Sequence, residues 1–384
     1  IPAGQELTAE PKIVSLTRDR VVIEDESAKR EIKEVVGDDG NTYRVGIISL
    51  PKFYIDFDAY RRNDPNYKST TRDVRLLLDS LKQENVDAVV MDLRFNGGGS
   101  LQESIELTGL FIDNGPVVQV RDTRDRIEVN SDREEGVAWD GPLGVIINRF
   151  SASASEIFAA AIQDYGRGIV LGSQSYGKGT VQSAIDMSRV ISPTDRLLLK
   201  ARTSDADGLP AGAPQFGQIN ITLAKFYRIT GSSTQHKGVE PDIVFPSMYA
   251  ADKYGESSEP SALPWDRISA TDFAPVADLS PVISQLATKH QTRMNDSPAF
   301  GFLLEDIETM RKQETETSVT LVEERLKKER EESRLKRKGR TEALQQLQIN
   351  LPLGGAATAV DEGLDFIQEE SLAVMADYVA LERK

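Results

Sequence analysis

Two short stretches carry residues that could do acyl-transfer chemistry. One is Phe150-Ser151-Ala152-Ser153-Ala154-Ser155-Glu156-Ile157, and the other is Gly172-Ser173-Gln174-Ser175-Tyr176-Gly177-Lys178-Gly179-Thr180. A serine hydroxyl is a weak nucleophile until a neighbouring base takes its proton. Histidine is scarce as a base here, since the chain holds only His236 and His290, and with no cysteine it has neither a thiol nucleophile nor a disulfide. A lysine can replace histidine when it is neutral. An unperturbed ammonium loses its proton near pH ~10.4, and bringing it roughly three units lower takes about 4 kcal/mol, which burial can supply. Lys178, flanked by Gly177 and Gly179 on a tight loop, is the candidate base for Ser153. Gln182 shares a strand face with Lys178 by the period of two and is placed to orient the amine.

A third stretch, Asn96-Gly97-Gly98-Gly99-Ser100, supplies what such a pair needs next. Glycines let the backbone come close to a ligand and turn N–H groups outward, so this loop and the Ala154 N–H could form an oxyanion hole. Each stretch also has a plainer reading. The glycine run can be a tight strand-to-helix turn. Ser153 with Glu156 three residues later fits a capping box, and on pattern alone capping is favoured over catalysis. The Lys178 loop nearly matches a phosphate-binding loop, but Gly179 stands where the magnesium-binding hydroxyl belongs. The glycine run fails the dinucleotide fingerprint at Gln102.

The elements that must position these residues follow from periodicity. Val74, Leu77, Leu78 and Leu81 lie on one face of a helix over 69–83. An apolar run at 88–93 reads as a buried strand that stops at the glycine loop. A helix at 101–111, a strand at 116–120, a buried strand at 144–147, a helix from Ser155 to about Gln163 and a strand at 168–171 continue the alternation. Strands alternating with helices point to an α/β core with a largely parallel sheet. Residues 219–230 alternate like a strand of a smaller antiparallel part. Upstream, 12–16, 20–24 and 43–50 read as strands, with a turn at Asp38-Asp39-Gly40-Asn41. Beyond about Pro246 the character changes: 253–281 is proline-punctuated loop, 282–345 helical, 351–360 a flexible linker and 361–381 an amphipathic helix. The charged stretch 319–340 reads as a solvated helix held by Glu–Lys and Glu–Arg pairs one turn apart.

The 384 residues carry a net charge of −15, which repels phosphate backbones and argues against a nucleic-acid partner. Neither histidine has a second at metal-ligand spacing, so neither metal nor cofactor is expected. No apolar run is long enough to span a membrane. The chain starts at Ile1 without a leader and reads as a fragment or mature form.

Together the three stretches, in this order, resemble the signature blocks of the carboxyl-terminal processing serine peptidases. Asp92-Leu93-Arg94-Phe95-Asn96-Gly97-Gly98-Gly99, Phe150 to Ile157 and Tyr176-Gly177-Lys178-Gly179-Thr180-Val181-Gln182 carry the likeness, and Lys225-Phe226-Tyr227-Arg228 and Lys237-Gly238-Val239-Glu240-Pro241-Asp242 extend it. The resemblance implies Ser153 as nucleophile, Lys178 as general base and Gln182 as the residue that positions the lysine. It implies Gly99 and Ala154 as oxyanion donors, with Gly98, Glu156 and Asp164 in support. It also implies a crotonase- or Clp-protease-like α/β core over 46–250 with a small β subdomain. Residues 1–45 become a β linker after an absent PDZ domain, and 251–384 a helical C-terminal domain of the tail-specific subgroup. Protein or peptide substrates with apolar C-terminal tails, a periplasmic location and a helical-repeat lipoprotein adaptor are implied in the same way, while the charged helices after residue 300 leave self-association or a solvated surface as alternatives. The alternatives are a catalytically silent binding or scaffold module on the same fold, and a nucleotide-binding protein built on the near-miss loop.

Overall fold

A computed structural model describes residues 26–195, 198, 216–318, 320–350 and 365–383. The strands expected at 12–16 and 20–24 and the linker at 351–360 lie outside the described residues.

Among the described residues ten strands form two sheets: β1 (Lys29–Val36), β2 (Thr42–Ser49), β3 (Ala88–Asp92), β4 (Gly115–Asp122), β5 (Ile127–Asp132), β6 (Leu143–Ile147), β7 (Ile169–Gly172), β8 (Thr180–Asp186), β9 (Gln218–Tyr227) and β10 (Ile243–Val244). The main sheet has the order β1-β2-β3-β6-β7-β10 and is parallel except for the β1–β2 hairpin. The second sheet, β5-β4-β9-β8, is antiparallel throughout. The helices are α1 (Phe57–Arg61), α2 (Thr70–Gln83), α3 (Leu101–Gly109), α4 (Ala154–Asp164), α5 (Met187–Val190), α6 (Ser280–Asp296), α7 (Pro298–Thr315), α8 (Glu323–Asn350) and α9 (Phe366–Glu382).

The α/β class, the parallel-rich sheet and the helical C-terminal part agree with the sequence reading. Strand β3 is buried along its whole length, as a central parallel strand covered on both faces must be. Helices α2, α3 and α4 cover one face of the main sheet, with Val74, Leu78, Leu81, Leu107 and Phe158 in one core. Helices α6 and α9 cover the other face, packing Leu286, Leu372 and Met375 against Val45, Val90 and Ile146. A third core joins α4 to the small sheet through Ile157, Ala161, Val118 and Phe226. Helix α4 therefore lies between two sheets, and its alanines (Ala159, Ala160 and Ala161) are the small residues that such close double packing needs.

Three details differ from the sequence reading. The strand expected at 116–120 belongs to the antiparallel sheet, because alternation of strand and helix does not say which sheet a strand joins. Strand β1, within the stretch read as a β linker, is not itself expected from the sequence and forms an edge of the main sheet. Helix α9 is buried on nearly every side rather than along one face. Its Glu370 and Asp377 meet Arg293, Lys289 and His290 of α6 in a buried ion network. Helix α8 follows the solvated reading but starts at Glu323, with one-turn pairs such as Glu323–Lys327 at 2.7 Å. No helix among the described residues is long and apolar enough to cross a membrane.

Candidate active site

The parallel sheet brings the three stretches to one end. The glycine loop leaves the end of β3, the serine turn leaves the end of β6, and the lysine loop leaves the end of β7. Crevices beyond the carboxyl ends of parallel strands are where such sheets bind ligands.

Asn96 ties the first two together. It is fully buried; its amide donates to the Leu50 carbonyl at 2.8 Å, and its side-chain oxygen accepts the Gly98 N–H at 2.9 Å. Its backbone carbonyl accepts the Ala152 N–H at 3.0 Å and the Ser155 hydroxyl at 2.9 Å. Gly98 has φ +102°, and a Cβ there would stand 2.9 Å from that of Ser153. Only glycine allows this approach of loop to serine turn. Neither the Gly99 nor the Ala154 N–H meets an acceptor among the described residues.

Ser153 sits just before α4 with φ +57° and ψ −112°. A left-handed φ at a non-glycine residue costs energy, and a sharp strand-to-helix turn uses it to push a side chain off the sheet edge. Ser153 is partly exposed, whereas Ser151 and Ser155 are buried and spend their hydroxyls on the Leu93 and Asn96 carbonyls. The serine cluster thus resolves into two structural hydroxyls and one at the surface.

Glu156 is fully buried in the first turn of α4 and joins the serine and lysine sides. One carboxylate oxygen accepts the Ser153 N–H at 2.8 Å and the Lys178 N–H at 2.9 Å. The other accepts the Ser175 hydroxyl at 2.6 Å and the Gly177 N–H at 2.7 Å. Burial pushes its pKa up to about 7, against the pull of these four donors. The capping interaction expected from Ser153 and Glu156 is present on the carboxylate side, so capping and catalysis are compatible here.

Lys178 is half-buried, not enclosed as a desolvated base would be. Its amine donates to the Gln182 Oε1 at 3.4 Å, and Gln182 itself is exposed. The two meet as the strand period suggests, although β8 starts only at Thr180 and its pairing with β9 slips between Val181 and Gln182. Lys178, Thr180, Gln182, Gly97 and Ala152 line an open cleft of about 490 Å³. No hydrogen bond links the Lys178 amine to Ser153 among the described residues. Asp164 lies at the opposite end of α4 from Ser153, where Arg228 donates to it at 2.5 Å. Burial raises its pKa and Arg228 opposes the shift. Its place is in anchoring the helix to the small sheet, away from the cleft.

Sequence reasoning missed Arg149. This guanidinium is 1% exposed and faces backbone carbonyls only: those of Ser175 and Tyr254, and that of Ala251 at 2.9 Å. Burial lowers its pKa. Its position directly before the serine turn was the available signal, but a basic residue in a loop ordinarily points to solvent. No His/Asp/Glu cluster suited to a metal occurs among the described residues.

The chain matches the family described as peptidase family S41 over residues 44–245 and the C-terminal domain of tail-specific protease over 249–380. It is 40% identical over 299 residues to a tail-specific protease of Haemophilus influenzae, an alignment covering 77% of this chain and 38% of that protein. It is 30% identical over 245 residues to the chloroplastic carboxyl-terminal-processing peptidase 2 of Arabidopsis thaliana, covering 64% and 40%. The chain thus spans about two fifths of the length of these relatives. A solved photosystem II D1 C-terminal processing protease is 22% identical with a TM-score of 0.44, covering 62% of this chain and 53% of that one. With its core matched from β2 to β10, this chain belongs to peptidase family S41.

Proposed function

We propose that this chain is the catalytic portion of a serine endopeptidase in which Ser153 is the nucleophile and Lys178 the general base. The observation that carries the reading is the shared Glu156 carboxylate, which holds the Ser153 turn and the Lys178 loop against each other. The Lys178 amine takes the proton from Ser153 Oγ as the oxygen attacks a peptide carbonyl. The Gly99 and Ala154 N–H groups receive the resulting oxyanion, with Gly98 keeping the loop against the serine. Lys178 then protonates the leaving amine, and water releases the acyl group by the reverse path. Gln182 orients the amine between these steps. A substrate chain lying in the open cleft excludes the water that favours a charged amine.

Two relatives are named for carboxyl-terminal tails and their processing. Carried over, the substrates are proteins engaged through apolar C-terminal tails. A periplasmic location, a PDZ domain that captures the tail, a helical-repeat lipoprotein adaptor and self-association belong to the same proposal. So does the division into a peptidase core over 46–250 and a helical domain over 251–384. Cell fractionation tests the location.

The test is cleavage of an unfolded reporter with an apolar tail, and of the same reporter ending in charged residues, across pH 6 to 10. The expected result is preferential cleavage of the apolar-tailed reporter, rising with pH and abolished in Ser153→Ala and Lys178→Ala, both of which stay folded. Cleavage that survives Lys178→Ala in a folded protein removes the serine–lysine reading. A wild-type chain that binds the tail without cutting it favours the scaffold alternative.

A further inference from the structure

The lysine loop is gripped from a second direction by a segment to which nothing above gives a role. Gln235 lies in the connection from β9 to β10 and is fully buried. Its side-chain oxygen accepts the Gly179 N–H at 2.8 Å, and its amide nitrogen donates to Glu256 Oε1 at 3.2 Å. This orientation is the only one that satisfies both partners, because a backbone N–H can only donate and a carboxylate can only accept. The next residue, His236, takes a left-handed φ of +66° and donates its N–H to the Gly177 carbonyl at 2.8 Å. Residues 235 and 236 thus hold the backbone on both sides of Lys178. Packing leaves little slack, since a Cβ on Gly179 would stand 2.6 Å from the Gln235 backbone nitrogen.

Glu256 belongs to the segment after β10, within the part matched by the tail-specific C-terminal domain. Its own N–H donates to the Tyr176 carbonyl at 3.1 Å. Nearby, Arg149 binds the carbonyls of Ala251 and Tyr254 with one part of its guanidinium and that of Ser175 with another. The segment 251–256 therefore touches the lysine loop at Tyr176, at Ser175 through Arg149, and at Gly179 through Gln235.

We propose that Gln235 is a positioning residue for Lys178, and that Glu256 orients it, so that the C-terminal segment sets the geometry of the base. The proposal rests on the serine–lysine reading. Glu156 holds the Gly177 and Lys178 N–H groups toward the serine side; Gln235 holds the Gly179 N–H from the opposite side. With both grips the lysine backbone has one position. Without Gln235 the loop pivots on Glu156, and the amine leaves the line to Ser153 Oγ. A displacement of about 1 Å in a reacting group can cost roughly 100-fold in rate.

The experiment compares full chains carrying Gln235→Met, Glu256→Ala, Glu256→Gln and Lys178→Ala. It measures acylation of Ser153 by a small activated aryl ester, whose phenolate leaves as the acyl-serine forms, from pH 6 to 10, together with kcat and KM for the tailed reporter, and thermal unfolding. Gln235→Met keeps the side-chain volume and removes both hydrogen bonds. It should lower the acylation rate and kcat by about 10- to 100-fold with KM within about threefold, and move the rise of rate with pH. Glu256→Ala should give a smaller loss of the same kind. Glu256→Gln, which still presents an acceptor to Gln235, should restore most of it. Acylation in folded Gln235→Met equal to wild type overturns the proposal. Should Gln235→Met fail to fold, Glu256→Ala decides, and unchanged acylation there overturns it equally. Acylation that survives Lys178→Ala, or is absent from the wild-type chain, defeats the serine–lysine reading and this inference with it. Acylation that needs Lys178 but not Gln235 or Glu256 defeats this inference alone.

Discussion

The serine side and the lysine side of the cleft are built differently. Ser153 begins a helix enclosed between two sheets, and its turn is tied to the fully buried Asn96. Lys178 lies on a loop leading to β8, an edge strand of the small antiparallel sheet, and its partner Gln182 is exposed. The nucleophile is placed by close packing of the core, which tolerates little displacement. The base is placed by a belt of hydrogen bonds from Glu156, Gln235 and His236. Substitutions on the serine side should therefore move stability and rate together, while those of exposed residues on the lysine side should move rate with little effect on stability.

Glu156 is shared by both sides through four donors, so the largest effect is expected there. Glu156→Ala leaves the N–H groups of Ser153, Gly177 and Lys178 and the Ser175 hydroxyl without their acceptor in a buried site. Each unsatisfied buried donor costs about 1–3 kcal/mol, and local relaxation recovers part of that. The expected net destabilisation is about 3–5 kcal/mol by urea unfolding, with reporter cleavage reduced to background. A stable and active Glu156→Ala protein would show that the two sides do not depend on this bridge.

Asp164→Ala perturbs the serine side alone, from the far end of its helix. It leaves Arg228 partly buried without its 2.5 Å partner. Removing one member of a buried pair costs about 3–5 kcal/mol. Stability and cleavage should fall together, because α4 loses its anchor on the small sheet. Full stability with lost cleavage would place Asp164 in the chemistry and break the comparison.

How far this division could be read beforehand depended on the kind of signal each residue gave. The β3-loop-α3 and β6-turn-α4 units were legible because buried strands end abruptly in small residues and helical spacing follows. Ser153 and Lys178 stood out through the scarcity of histidine, and Gln182 through the strand period. Gln235 and Arg149 gave no such signal: they lie in irregular segments, and their partners are distant backbone groups that only the fold brings near. Helix α9 misled for a related reason. Glu370 and Asp377 suggested a wet face, and only the docking of α6 supplies the cations that let them be buried. The membership of 115–122 in the small sheet was equally a matter of tertiary pairing.

A third effect, of stability alone, follows from the ionisation of Glu156. Its pKa is raised from 4.5 to about 7 by burial. A carboxyl whose folded pKa lies above its unfolded value contributes stability that is fully present below pH ~4.5 and is lost as pH rises through about 7. The expected loss across that window is about 3 kcal/mol. Other carboxyls, the buried Glu103 and Asp132 and the partly buried Asp242 among them, are shifted in the same direction. The measurement is therefore the difference between wild type and Glu156→Gln in urea midpoint at pH 4.5, 6 and 7.5. The gap should close or reverse in favour of the variant as pH rises. A gap independent of pH would show that the four donors hold the carboxylate ionised throughout.

The smallest expected effect tests the lysine side on its own. Gln182 is exposed and meets the lysine amine across 3.4 Å, a long hydrogen bond. It makes no contribution to the three hydrophobic cores, so Gln182→Ala should change stability by less than about 0.5 kcal/mol. The amine that loses this acceptor still has its backbone held by Glu156 and Gln235, so it keeps its reach and loses only its direction. Cleavage should fall by about three- to tenfold at unchanged KM, the size expected from one exposed hydrogen bond. Gln182→Glu sharpens the point. A carboxylate at this place favours the charged amine, so its activity should rise later with pH than that of wild type. An unchanged pH profile in Gln182→Glu would mean that residue 182 does not face the amine during turnover, and the belt that places the base would then end at Gln235.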